Sequence, residues 1–540
     1  MFHQLLRPVA DSLPLSFLVA IVPIATVLLC LGVLRRPAWQ SSLAGLAIGT
    51  VIAIRVWQMP SSMALGAITN GAVFALWPVM WIVFNALLLY NITVRSGRFD
   101  LFKDWITSHL PNDRRVVLIV IGFCFGALLE GIAGFGAPVA ITASLLTQLG
   151  LPALEAVVFV LIFDTTPVAF GALGGAVMVL SAVTALPAPA LAAMIGRQLP
   201  FLAAILPAYV MLIYAGWRSV RALWPVLAVS GVSFGAIQWY VSNYWDYTLT
   251  DVFAALGSLL ATLLFLRLWA PAHDPNYALR ADPEHPRSRQ ILSSAWRGWA
   301  PWIIVTVTVI AWTMLKMAAV GQRAVVWPGL NKTIAITLYD AKPYTAVWSF
   351  QPLGTGTAIL AAALITVLIV RLPLPAFGRC LLLTLSQIWK AIITVMFIVG
   401  LAYLMNYSGM AYTLGLAAAS TGAAFIVFSP FLGWIAVFLS GSDASGNALF
   451  GNLQVVAARQ LHLDPLLFAA SNSSGGVMGK MISPQNIATG LAVTNLQGRE
   501  GAVLARTFGH SIVLTLILVL IVVIQQYWLT DSVPSYPLPH

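Results

Sequence analysis

The chain has 540 residues, 60% of them hydrophobic and only 8% charged, with a formal net charge of +11. A soluble domain carries about a quarter charged residues, so this composition excludes one and predicts a polytopic membrane protein with room for about a dozen spans of some 20 residues. The basic residues are scattered among short loops, so the charge reports loop topology and argues against a nucleic-acid surface.

Apolar runs fall at about 13–34, 39–58, 72–94, 116–149, 154–185, 199–217, 223–241, 252–269, 300–319, 356–371, 381–404, 411–428, 431–460, 463–495 and 511–528. The first is long enough to span, which predicts a membrane helix rather than a cleaved signal. Arg35 and Arg36 follow it; Arg95, Arg98, Lys103, Arg114 and Arg115 follow the third run; Arg218 and Arg221 follow the sixth. Arg280, Arg287, Arg289 and Arg297 fill segment 270–299, and Arg371, Arg379, Arg499 and Arg506 mark two further loops. The positive-inside rule puts these loops in the cytoplasm. Loop 59–71, without charge, and loop 242–251, with only Asp246 and Asp251, fall outside, together with the 320–355 loop and both termini.

Segment 116–149 is too long for one untilted span and is interrupted at Glu130–Gly136, so it reads as a re-entrant helical hairpin with a non-helical tip. Such a tip is tolerated at membrane depth only inside protein or beside a cavity. The second half repeats the pattern: "EGIAGFGAP" (Glu130–Pro138) aligns with "SGSDASGNA" (Ser440–Ala448). A second interrupted segment follows each, "DTTPVAFGALGG" (Asp164–Gly175) and "SNSSGGVMGKMISPQN" (Ser471–Asn486). The charge rule brings the first hairpin in from the cytoplasm and the second from outside, as in an inverted-repeat transporter. The expected fold is therefore all-α: an integral membrane transporter of about 12 spans plus two re-entrant hairpins, with inverted-topology repeats. Residues 1–222 form the first repeat, with its hairpin near 116–149. Residues 223–371 supply connecting spans and large loops, and 372–540 form the second repeat core, with its hairpin near 431–460.

Of the 17 acidic residues, Glu130, Asp164 and Asp443 stand well inside apolar segments. A charge at the bilayer centre costs about 2.5–3.5 kcal/mol on insertion scales, and burial disfavours the charged form of a carboxyl. The three are candidates for proton coupling; the bland alternative is a carboxylate bonded to backbone N–H groups freed by the breaks. Around them cluster Ser440, Ser442, Ser445, Asn447, Ser471, Asn472, Ser473 and Ser474, with Thr165 and Thr166 at the equivalent place in the first repeat. Glycines such as Gly131 and Gly136 let the chain unwind there. Half-helix N-termini then present N–H groups and partial positive charge to a carboxylate. Ser/Gly helix packing is the competing reading, and it accounts less well for so dense a polar run. Lys480 stands beside the second break, where it could pair with Asp443 or a bound anion; Arg197 and His510 read as an interfacial anchor and a structural histidine. No His/Cys group has metal spacing, "GFGAP" lacks a βαβ context, and no Walker sequence occurs, so no metal, cofactor or ATP-driven step is expected.

"IGFCFGALLEGIAGFGAPVAI" (Ile121–Ile141), "GRQLPF" (Gly196–Phe201), "GSDASGNALF" (Gly441–Phe450) and "GKMISPQ" (Gly479–Gln485) resemble the bacterial L-lactate permease family, the lactate/glycolate:proton symporters. The resemblance runs from about residue 14 to 528; segments 270–299 and 320–355 look less family-like, and Asp164 stands where the family is expected to have Asn. It implies a multi-pass protein of the bacterial inner membrane, a transporter and no enzyme, importing L-lactate, with D-lactate and glycolate as further substrates, with a proton. Its partners would be a small monocarboxylate, the proton and the lipid bilayer; a homodimer is left open. An elevator motion follows by fold-level analogy alone. On this reading Gly131, Gly136, Thr165, Thr166, Ser442, Ser445, Asn447, Asn472, Ser473, Ser474 and Lys480 hold the substrate, and Glu130, Asp443 or Asp164 carries the proton. A sodium-coupled or dicarboxylate carrier of the same architecture, and more remotely a polytopic membrane enzyme, are the rival readings.

Overall fold

The computed structural model describes residues 1–108, 110–132, 137–272, 274–279, 295–492, 496 and 498–536. Helices dominate. Strands among the described residues are confined to the N-terminus and the 323–350 region. Phe2–His3 pairs in parallel with Ile334–Ala335, and Arg323–Val326 pairs antiparallel with Val347–Phe350. The N-terminus therefore lies on the same face of the bundle as the large loop.

Among the described residues seven helices are long and apolar enough to cross a membrane, or nine if two bent pairs each count as one span. This differs from a simple count of apolar runs because several crossings are kinked. Helix Leu199–Tyr244 is two limbs: Gly216 takes φ 72° and ψ 177° and turns the chain back. The second limb then lies on the first, with Gly231 and Gly235 against the carbonyls of Ala204 and Pro200. These limbs correspond to the separate apolar runs at 199–217 and 223–241. Leu18, Leu29, Val51, Phe201, Trp217 and Leu368 are exposed on the outside of the bundle, the arrangement that lipid rather than water favours.

Two hairpins enter from opposite ends. The first begins at Arg114–Val117, continues through a π-helical stretch, Leu118–Phe125, and helix Gly126–Ile132, and returns as helix Ala137–Gln148, packed on its outgoing limb. Asp113 caps its root and grips Arg115. Arg115 also pairs with Asp274 at 3.6 Å and lies over Tyr277. The second hairpin runs out as helix Phe425–Ser440, turns at Gly441 (φ 72°) and returns as helix Asp443–Gln460. At its root Arg459 lies over the ring of Tyr339 in the large loop. Helix Thr250–Leu268 separates these faces. Asp246, before it, accepts from Thr313 at the head of the large loop, and Asp274 lies beyond its other end.

The buried apolar residues form two clusters. The larger joins the first hairpin, helix Ala153–Phe163, the Leu199–Tyr244 limbs, helix Thr250–Leu268, helix Pro465–Lys480 and helix Glu500–Tyr527. The smaller joins the N-terminal helices to helix Leu374–Ser408 and reaches part of helix Asp443–Gln460.

Candidate functional site

Each hairpin is followed by a helix that stops inside the protein. Helix Ala153–Phe163 ends at Asp164, and the hydroxyls of Thr165 and Thr166 donate back to the carbonyls of Ile162 (2.7 Å) and Phe163 (2.9 Å). These bonds satisfy carbonyls that a terminating helix leaves open. Beyond a single 3₁₀ turn, Ala172, Leu173 and Gly174 all take positive φ (46°, 57° and 77°). Two non-glycine residues in that region cost about 1–2 kcal/mol each, a form of strain that clusters at functional sites. In the second half, Asp464 caps helix Pro465–Lys480, with Pro465 at its first position. The helix ends at Lys480 and the chain resumes as helix Pro484–Ala492.

These two helix ends meet. Lys480 Nζ donates to Glu130 Oε1 at 2.6 Å and lies 3.0 Å from Asp164 Oδ2. All three side chains are buried. The lysine therefore pairs with two carboxylates of the first half and not with Asp443, which the sequence reading had considered. Its helix ends facing the first break, while Asp443 starts the helix on the other side of the second tip. Glu130 keeps its second oxygen, Oε2, unbonded. Gly171 allows this approach: a Cβ there would come 3.1 Å from Glu130 Oε1.

The cluster opens onto a cavity of about 60 Å³, room for on the order of four waters or one small organic anion. One side is polar: Glu130, Lys480, Gln485 and the second tip, Gly441–Ala444. Gly171, Ala172, Gly175 and Ala176 of the first broken segment form its floor. Val79, Val83 and Val395, all in the smaller apolar cluster, close the opposite side. Ser442 caps helix Asp443–Gln460, accepting from the Ser445 N–H at 3.4 Å. The positive end of that helix thus borders the same cavity.

The remaining polar residues build a network behind the second tip. Asp443 Oδ2 accepts from Ser473 Oγ at 2.5 Å and Asn447 Nδ2 at 3.2 Å, while Oδ1 is unbonded. Asn447 also donates to the carbonyl of Ala176 and accepts from Asn472 Nδ2 at 3.0 Å. Asn472 Oδ1 accepts from Gln454, and Ser474 donates to Gln198 at 2.7 Å. Such fully buried bonding fixes the geometry of a tip that has little apolar surface of its own.

The structure therefore brings Glu130, Lys480, Ser442 and Asp443 to the cavity and sets Asp164 against Lys480. Ser445, Asn447, Asn472, Ser473 and Ser474 stand one layer behind, and Thr165 and Thr166 cap a helix end. Gly131 faces away from the cavity, and Gly136 lies outside the described residues. Arg197 ties Asn243 to the carbonyl of Ser532, and His510 bonds Tyr209, both away from the site.

The sequence reading missed Gln485 and Asp251. Asp251 was assigned to an outer loop; instead it is 1% exposed, in the first turn of helix Thr250–Leu268 and packed against Gly131. The apolar run that starts at Val252 was the available signal: a carboxyl one residue before a span enters the bundle with that helix.

A family model for L-lactate permease matches residues 16–529. An L-lactate permease of Bacillus subtilis is 39% identical over 98% of this chain and 99% of its own. A glycolate permease of Escherichia coli is 38% identical over 97% of this chain and 98% of its own. A solved transporter from Alcanivorax borkumensis aligns over 85% of this chain and 87% of its own, at 14% identity and a TM-score of 0.42, a likeness too distant to carry an argument.

Proposed function

The chain belongs to the L-lactate permease family and is a multi-pass membrane transporter rather than an enzyme; from that premise we propose that it imports L-lactate, and with it D-lactate and glycolate, across the bacterial inner membrane together with a proton. The observation that carries the coupling is Lys480 held between Glu130 and Asp164 at the cavity wall. With both carboxylates ionised the lysine is fully engaged. A proton on Glu130 weakens its hold, and the ammonium turns to a substrate carboxylate instead. Substrate and proton then favour each other's binding, because each relieves the cost of the other.

The energetics call for such a device. A carboxylic acid with a pKa like that of Asp, about 3.9, is an anion at neutral pH, and the membrane potential opposes its import by about 2.3 kcal/mol per 100 mV. One proton per anion removes that opposition and leaves the pH gradient as the driving force. Ser442 and the helix N-terminus at the second tip supply the remaining donors for the carboxylate and hydroxyl. The networked Asn447, Asn472 and Ser473 hold that tip and Asp443 in place. The valine wall offers no polar group to hold the substrate, which suits an elevator in which the hairpin-bearing side slides past it.

Reconstituted protein tests this. An outward-acid pH gradient is expected to drive labelled L-lactate into proteoliposomes, with an uncoupler abolishing accumulation and sodium removal leaving it unchanged. D-lactate and glycolate should compete and succinate should not. Sodium dependence, or competition by succinate alone, would replace this reading with that of a sodium-coupled or dicarboxylate carrier. Retention of pH-driven accumulation by both Glu130→Gln and Asp443→Asn would sink the proton assignment.

A further inference from the structure

Behind Glu130, on the side away from the cavity, lies a fourth carboxyl that has no counterion among the described residues. Asp251 is almost fully buried and neither of its oxygens completes a hydrogen bond. Gly131, next to Glu130, lies directly on it: a Cβ at Gly131 would meet the Asp251 Cβ at 2.9 Å. Gln238 is its polar neighbour from the second limb of helix Leu199–Tyr244. That side chain gives one of its two Nε2 hydrogens to the carbonyl of Thr166 at 2.9 Å; the other is its donor toward Asp251, and its Oε1 has no partner. Glu130 Oε2 is also unbonded.

Unbonded oxygens gather here, two of Asp251, one of Glu130 and one of Gln238. The charged groups within electrostatic reach of Asp251 are Glu130, Asp164 and Lys480. Of the other titratable groups on packed elements, Tyr247 lies against Gly174, and Cys124 contacts Ser258 two turns along the helix. One lysine already serves two carboxylates, and no other cation among the described residues reaches a third. An unpaired buried carboxylate is far costlier than the neutral acid. A proton on Asp251 also adds a donor among these oxygens. The residue stands one turn from Asp246, at the end of the helix that faces the large loop.

We propose that Asp251 is a second proton-binding residue of the transport cycle, passing its proton to Glu130 from the face opposite the substrate cavity. In that step the O–H bond of Asp251 breaks and one forms at Glu130 Oε2, directly or through a water, and Asp251 keeps the electron pair. It is reprotonated from the end of the helix near Asp246. Proton and substrate thus reach Glu130 from different sides. This rests on the proton-symport reading above, which the wild-type protein tests separately: without pH-driven accumulation by wild type, that reading fails before Asp251 is in question.

Asp251→Asn places a neutral isostere where the protonated acid stands. Lactate counterflow, which exchanges the loaded carrier and needs no net proton release, is expected to stay within threefold of wild type. Accumulation driven by a pH gradient should fall at least tenfold, and Asp251→Glu should restore part of it. Unchanged accumulation in Asp251→Asn, or equal loss of counterflow and accumulation, overturns the proposal. Should Asp251→Asn not be recovered folded, Asp251→Ser is carried through the same pair of assays with the same criteria.

Discussion

Replacing Lys480 by Met keeps an unbranched side chain, one atom shorter, and removes its charge. The change deletes contacts of 2.6 Å and 3.0 Å to two carboxylates inside the protein. At an effective dielectric of about 20, each such contact represents roughly 6 kcal/mol of direct attraction before desolvation is counted. Breaking a buried pair by removing one partner costs about 3–5 kcal/mol net, because the other partner is left uncompensated. Two consequences separate. The melting temperature of Lys480→Met in detergent should fall, and adding Glu130→Gln should recover part of that loss, because one fewer carboxylate is stranded. Transport should not recover. A charge-assisted bond to a carboxylate is worth about 1.5–3 kcal/mol, so loss of the ammonium should raise the KM for lactate counterflow by about ten- to a hundredfold. The thermal melts and counterflow kinetics form a double-mutant cycle. A KM within threefold of wild type in Lys480→Met, with folded protein, would refute the idea that this lysine receives the substrate.

Two further outcomes follow from the same geometry. Gly171→Ala sets a methyl group 3.1 Å from Glu130 Oε1; the backbone there tolerates a side chain, so the protein should fold while the displaced carboxyl slows lactate uptake several-fold, read as a lower uptake rate at unchanged expression. Arg115→Ala removes the clamp on Asp113, the pair with Asp274 and the bond to Ser219. It should cost about 3–5 kcal/mol as a broken buried pair, seen as a lower melting temperature and faster proteolysis at the root of the first hairpin.

Much of this architecture was legible in the sequence because it depends on local chemistry. Hydropathy marks the spans whatever they pack against. The tip at Gly441–Ser442 was visible for a related reason: a glycine followed by a Ser cap and a short polar run cannot continue a lipid-facing helix. The turn at Gly216 was also foreshadowed, by Arg218 and Arg221 between two apolar runs. Less legible was which polar residues face the cavity. Ser473 and Asn447 have the composition of ligands, yet their partners are Asp443 and Asn472. A donor is used up by whichever acceptor packing brings closest, and neighbours in sequence do not reveal that. Asp251 was misplaced because a carboxyl at the start of a span looks like a solvated loop residue until Gly131 is seen to cover it.

Composition and motif alone were enough for the membrane class, the all-helical architecture and the family. Each of these is written in composition, glycine and proline placement or extended motif. The packed fold was needed to bring Lys480 to Glu130 across 350 positions of chain, to set Asp164 against the same ammonium, and to place Asp251 behind them. Such pairings depend on how two distant broken helices end against each other. In a low-dielectric interior an ångström of placement separates a paired charge from an orphan, and no local pattern encodes that distance.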